Sequence, residues 1–218
     1  VNPAESDVYN KSTVLFGLHQ SITAKAFKKH GLAILVEGYT DVISLHQNGY
    51  NCAVASCGTA LTTEQARLLK RYTDTVLVMR DGDAAGSKAM LRDVNILLEL
   101  GFNVYVGQLP QGEDPDTFCR SGYFAEWLIA NVQEAVPFIL DALFSAANQD
   151  GFQQAQNLMT AGELLVRIQS ETLREVYMET FRDKYKLKTK LKDAVNKAGK
   201  RLEALKKKEE EDKQISLS

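Results

Sequence analysis

The chain has 218 residues, 44% of them hydrophobic and 25% charged, with a formal net charge of −2. That length is enough for one large or two small domains with a buried core, and no stretch approaches the roughly 20 apolar residues of a membrane-spanning helix. Val1–Glu5 lacks the basic start and apolar core of a signal peptide. The three cysteines, Cys52, Cys57 and Cys119, form no C-x-x-C pair, which argues against structural zinc and a disulfide framework and for a reducing compartment.

Between Gly31 and Pro110, apolar runs alternate with amphipathic ones. Leu32–Val36 is short, continuously apolar and soon followed by glycine, which predicts a buried strand. Asp41–Asn48 carries Val42, Ile43 and Leu45 at helical spacing and stops at Gly49. Cys52–Ser56 is the second strand. Thr62 or Thr63 then caps a helix reaching Arg71, with Ala66, Leu68 and Leu69 facing inward. Thr75–Met79 is the third strand, followed by a helix from about Ala84 to Leu100 that Gly101 ends. Val104–Leu109 is the fourth, closed by Pro110. Such alternation predicts right-handed crossovers and a parallel sheet covered on both faces, with function gathered at the carboxyl ends of its strands.

After Asp116 no strand pattern is visible. Tyr123–Asn131, Glu134–Asn148, Phe152–Ile168, Glu171–Tyr185 and Leu187–Glu211 read as helices. Leu164, Leu165 and Ile168, with Val176, Phe181 and Tyr185, suit the inner faces of a small antiparallel bundle. No large hydrophobic stands between Leu205 and Ile215, so residues 206–218 are expected to fray or be disordered. Charge is uneven: residues 182–213 hold 13 of the 26 Lys and Arg but only 7 of the 28 Asp and Glu, a net of +6 that leaves −8 elsewhere. A basic end suits a phosphate backbone, and equally a solvated helix face or a linker helix. Trp127 and Phe124 read as core, and His19, His30 and His46 show no pairing with a carboxylate set.

Three acidic clusters follow predicted strands: Glu37-Gly38, Asp81-Gly82-Asp83 and Asp114-Pro115-Asp116. Singly, Asp81, Asp114 and Asp116 are ordinary helix caps or turn formers. Together at like ends of neighbouring parallel strands they would repel one another unless cations were bound. An all-oxygen donor set selects hard ions such as Mg²⁺ or Mn²⁺, which serve phosphoryl and nucleotidyl transfer.

In order along the chain, Glu37-Gly38-Tyr39-Thr40-Asp41, Ser56-Cys57-Gly58-Thr59, Asp81-Gly82-Asp83-Ala84-Ala85-Gly86 and Leu109-Pro110-Gln111-Gly112-Glu113-Asp114-Pro115-Asp116 resemble the toprim core of bacterial replicative DNA primase. Tyr9-Asn10-Lys11-Ser12 and Leu15-Phe16-Gly17-Leu18 are similar to the segment that precedes toprim in that family, and the likeness runs from Val1 to about Trp127. The resemblance implies an α/β toprim domain with a parallel-stranded central sheet flanked by helices, followed by an all-α helical bundle. It divides the chain into a remnant of the N-terminal polymerase subdomain (1–30), the metal-binding catalytic toprim domain (31–121), the bundle (122–205) and a tail (206–218).

The implied activity is nucleotidyl transfer by a DNA-directed RNA polymerase. Such an enzyme makes short RNA primers on single-stranded DNA with two or more Mg²⁺ or Mn²⁺ ions and, in this part of the chain, no structural zinc. Glu37 would be the general acid/base and a metal ligand. Asp81 and Asp83 would hold the catalytic metal, Asp114 and Asp116 further ions, with Asp41 as a supporting acid. Asn2 and Lys11 fall where the family meets nucleotide phosphates or template. Ribonucleoside triphosphates, single-stranded DNA and, through a domain not recognised in this sequence, the replicative helicase are the implied partners of a cytoplasmic monomer with no membrane association. Arg80 stands where the family has an aromatic residue, and is expected to contact a phosphate or pair with the acids. The family's zinc-binding pattern and most of its N-terminal polymerase subdomain are not recognised either, so the chain is expected to be a fragment that binds metal and primes weakly or not at all. Two alternatives stay open: another toprim enzyme, of topoisomerase or nuclease type, and a non-catalytic module that docks nucleic acid or helicase.

Overall fold

The computed structural model describes residues 10–56, 60–80, 84–145 and 150–216, and the chain divides into two compact units, Val1–Ala135 and Val136–Ser218. In the first unit four parallel strands, β1 (Ala33–Val36), β2 (Ala53–Ala55), β3 (Thr75–Arg80) and β4 (Asn103–Gln108), form a sheet in the order β2-β1-β3-β4. Every residue of β1 and β2 is buried, as their unbroken apolar sequence requires of strands covered on both faces. The helices between strands are α3 (Tyr39–Gln47), α4 (Thr63–Lys70) and α5 (Ala84–Glu99). Right-handed crossovers put α3 on one face and α4 and α5 on the other, where α4 touches α5. Leu35, Leu45, Leu69, Met79 and Leu97 are fully buried between these layers, each contributing about 1.5–3 kcal/mol of hydrophobic transfer.

The N-terminal segment is fastened to the β2 edge. A 3₁₀ turn at Lys11–Thr13 precedes α1 (Leu18–Thr23) and α2 (Ala26–His30), and Phe16 makes an isolated antiparallel bridge with Ala55. Gly17 carries the chain from that bridge into α1 at φ +82°, where a Cβ would lie 2.7 Å from Val42 Cγ1 and 2.8 Å from the Ala53 carbonyl oxygen. Only glycine fits both the conformation and the space.

Two elements of the first unit depart from the sequence expectation. A fifth strand, β5 (Gln133–Glu134), pairs antiparallel with β4 although no strand pattern is visible after Asp116. It has two polar residues, too few for period-2 alternation to register. The Asp114-Pro115-Asp116 turn opens a short helix, α6 (Pro115–Phe118), because proline suits the first helical position. The sequence also grouped residues 122–135 with the bundle. In the structure α7 (Phe124–Asn131) and β5 belong to the first unit. Trp127 lies against β4 at Gly107, where a Cβ would stand 3.0 Å from its ring; it stacks on Phe124 and meets Phe118 edge-on.

The regular elements among the described residues of the second unit are all helices: α8 (Ala135–Phe144, whose first residue closes the first unit), α9 (Gly151–Leu165), α10 (Glu171–Lys184) and α11 (Lys190–Ser216). Asp150 and Ser170 cap α9 and α10 by accepting from the backbone N–H of Gln153 and Leu173. Leu164, Leu165, Phe181 and Leu191 are buried. α11 continues to Ser216, past the point where the sequence predicts fraying or disorder. Strong helix formers persist there, and Lys206, Lys207 and Lys208 sit four residues before Glu210, Glu211 and Asp212, pairs that support a helix without burial.

Candidate metal and nucleotide site

Parallel pairing brings like ends together. Leu35 is opposite Val78, which carries Glu37, just after β1, to the level of Arg80 at the end of β3, and Arg80 is opposite Gln108 at the end of β4. β4 leads on to the Glu113–Asp116 segment, and β2 delivers Ser56 to the same edge. Three of the four strand ends therefore carry acids in the sequence. Asp81 and Asp83, directly after β3, lie outside the described residues, as do Cys57, Gly58, Thr59 and Asn2.

The Glu37 side chain is 44% exposed. Its partner is Arg80, whose Nη1 is 3.4 Å from Glu37 Oε1 while the arginine itself is 3% exposed. The other end of that guanidinium donates from Nη2 to Oδ2 of Asp93, a fully buried carboxylate on α5. Arg80 thus pairs with acids, one of the two roles its position suggested. Among the described residues, Arg80 Nε and Asp93 Oδ1 are buried with no hydrogen-bond partner. Burial pushes the Asp93 carboxyl above the ordinary range, and the Arg80 charge pulls it partly back.

Asp41 is 7% exposed, and its Oδ2 accepts from the Gly38 N–H at 2.8 Å. It closes the first turn of α3 and so fixes the loop that holds Glu37. Asp114 is the N-cap of α6: Oδ1 accepts from the Thr117 N–H at 2.7 Å and from its hydroxyl at 2.8 Å. These bonds, backbone first, hold its carboxyl below the ordinary range. Asp116 Oδ1 accepts from Ser44 on α3 and from Arg120 Nη2 at 2.6 Å, so this acid ties α6 to α3. Lys11 sits in the 3₁₀ turn, held there by Gln65, whose Nε2 donates to the Lys11 carbonyl at 2.8 Å and the Val14 carbonyl at 2.9 Å. Thr62, the cap of α4, donates to the Ser12 carbonyl at 2.5 Å. Lys11 is therefore kept near Ser56 and the carboxyl edge.

Sequence reasoning did not single out Asp93, Gln65 or Ser44. Asp93 had a signal, since it shares the inner face of α5 with Met90, Val94 and Leu97, where a lone acid implies a buried cation. Among the described residues no group of three or more His, Cys, Asp or Glu is placed to hold a metal ion. The described donors nevertheless fit a hard divalent cation: Glu37 is open to solvent at the edge, held among the described residues by one long ion pair, and the nearby acids offer only oxygen.

A family model described as toprim-like matches residues 34–119. A DNA primase of Clostridium acetobutylicum is 35% identical over 190 residues, covering 84% of this chain and 31% of the relative. The chain thus spans less than a third of the length of the curated relatives it matches first. The crystal structure of the zinc-binding and RNA polymerase domains of the Aquifex aeolicus primase superposes with a TM-score of 0.75 at 31% identity, covering 88% of this chain and 46% of that one. A primase catalytic domain bound to single-stranded DNA superposes with a TM-score of 0.70 at 30% identity, covering 84% and 60%. With its sheet, its ordered acidic strand ends and these likenesses, the chain belongs to the family of bacterial DNA primases, in the part that carries the toprim core.

Proposed function

We propose that this chain supplies the catalytic carboxylates of a DNA-directed RNA polymerase that makes short RNA primers on single-stranded DNA. The observation that carries this reading is the parallel register that sets Glu37, the end of β3 and the end of β4 side by side at one edge of a primase-family sheet. Toprim primases use divalent metal ions. Bound at this edge, Mg²⁺ or Mn²⁺ supplies activation of a 3′-hydroxyl and neutralisation of the departing pyrophosphate.

The chain's own part is to hold and orient. Asp81 and Asp83 keep two carboxylates directly after β3. Glu37, half exposed, accepts the proton of the attacking hydroxyl or ligates the ion. Asp41 fixes the Glu37 loop through the Gly38 N–H. Asp114 and Asp116 place negative oxygens beside further ions, and Lys11, with Asn2, meets nucleotide or template phosphates from the β2 side. Residues 31–121 form the catalytic domain, and ribonucleoside triphosphates are the substrates. The primase structure bound to single-stranded DNA supports that polymer as template. The replicative helicase is the protein partner of this reading, and the chain alone primes weakly or not at all. The relatives reported above are primases, which favours this reading over a topoisomerase, a nuclease or a docking module.

The test is ribonucleotide incorporation on single-stranded DNA by the chain joined to the region that precedes the match in a relative. The wild-type fusion is expected to make RNA, and Asp83→Asn to cut the rate on the order of a hundredfold or more. Equal rates for the two would refute the assignment.

A further inference from the structure

Asp93 occupies a place where an apolar side chain would pack as well. It is fully buried on α5 beside Met90, Val94 and Leu97, and its partner Arg80 is nearly as buried. Burying such a pair usually returns less than it costs, so its position in the fold asks for a role other than stability. The contacts of the guanidinium point to one. Among the described residues, its Nη2 is tightly engaged by Asp93 Oδ2, its Nε has no partner, and its Nη1 reaches Glu37 at 3.4 Å. An arginine fork can grip a carboxylate through two parallel bonds, yet Glu37 receives one long contact and stays 44% exposed.

We infer that Asp93 is a positioning residue: it holds Arg80 back from Glu37, so that the Glu37 carboxylate is oriented by one guanidinium nitrogen and left open to a divalent cation. The inference rests on the metal-site reading proposed above and deepens it. Released from Asp93, Arg80 would close on Glu37 and compete with the cation for the same oxygens. Arg80 and Asp93 are thus read as one device, since an arginine at this place without its buried acid would block the site it adjoins.

The experiment is Mn²⁺ titration, read by electron paramagnetic resonance, of the wild-type chain and of Asp93→Asn, Glu37→Gln, their double variant, and the neutral pair Arg80→Leu with Asp93→Asn. Melting curves check that each is folded. Asp93→Asn is expected to weaken Mn²⁺ binding about fivefold, the effect of shortening one ion pair by about half an ångström at an effective dielectric of about 20. The neutral pair should return to within about twofold of wild type, because the competing cation is gone. In the Glu37→Gln background, Asp93→Asn should add nothing, since Asp93 acts only through Glu37. Unchanged affinity in Asp93→Asn would overturn the inference. So would a loss that persists without Glu37, which would make Asp93 a general source of negative field. Should Asp93→Asn fail to fold, the neutral pair decides alone: affinity near wild type supports the inference and a fivefold loss overturns it. If wild type binds no Mn²⁺, or Glu37→Gln changes nothing, the metal-site reading itself fails and takes the inference with it. If Glu37→Gln weakens binding and Asp93→Asn does not, only the inference falls.

Discussion

Asp114, the N-cap of α6, and Asp116, in its first turn, are two residues apart, and the fold uses them differently. Asp114 caps the helix through Thr117, whereas Asp116 reaches back to Ser44 and across to Arg120. Asp114→Ala should cost about 1 kcal/mol in urea unfolding at neutral pH, the usual loss for an N-cap. Because the folded-state carboxyl is depressed, its contribution is present above the ordinary value of 3.8 and fades as pH falls through the folded value. The gap between wild type and Asp114→Ala should therefore narrow steadily below that pH; a gap of constant size would show that the cap does not titrate. Cys52 makes a second case. Burial pushes its thiol up to about 11, so a thiol-specific reagent at neutral pH should leave Cys52 unmodified until the protein unfolds, as mass spectrometry of the labelled peptide would show. Labelling of Cys52 in the native protein would contradict the packing of Ile34, Cys52 and their neighbours.

Helices and strands were legible in proportion to how much apolar pattern they carry. β1 to β4 and the helices between them follow from apolar runs punctuated by glycine, proline and threonine, and their bounds differ from expectation by one or two residues. β5 and α6 escaped because two polar residues and a four-residue helix have no period to read. The acidic clusters were visible because Glu37 and Asp81 follow their strands directly and Asp114 comes within a few residues of β4. Asp93 was not picked out, although the same helical spacing that marks the α5 core marks it. What no pattern reveals is distance: that Arg80 spans from Asp93 to Glu37 depends on the β1–β3 register. In the second unit, α9 and α11 cross so closely at Gly162 that a Cβ there would lie 2.6 Å from the Ala194 carbonyl oxygen. Gly162→Ala should thus destabilise by about 1–3 kcal/mol despite its better helix propensity, as judged by urea denaturation. Stabilisation instead would mean that the two helices can move apart freely.

The charge asymmetry of the chain matches its architecture. The acids proposed to hold metal follow the strands of the first unit in the sequence, while the basic excess falls on α11 and the turn before it, and from Glu203 onward the described side chains of α11 are exposed. Such a segment contributes little packing, so removing residues 206–218 should change the unfolding free energy by no more than about 0.5 kcal/mol. A larger loss would reveal a packing role for the end of α11. The sheet edge carries the functional proposal, and a manganese-soaked crystal examined by anomalous diffraction probes it most directly. A peak beside the Glu37 carboxylate, shared with Asp81 or Asp83, is the expected result. Density showing Glu37 closed onto Arg80, with no anomalous peak at the carboxyl ends of β1 and β3, would contradict the proposed polymerase chemistry.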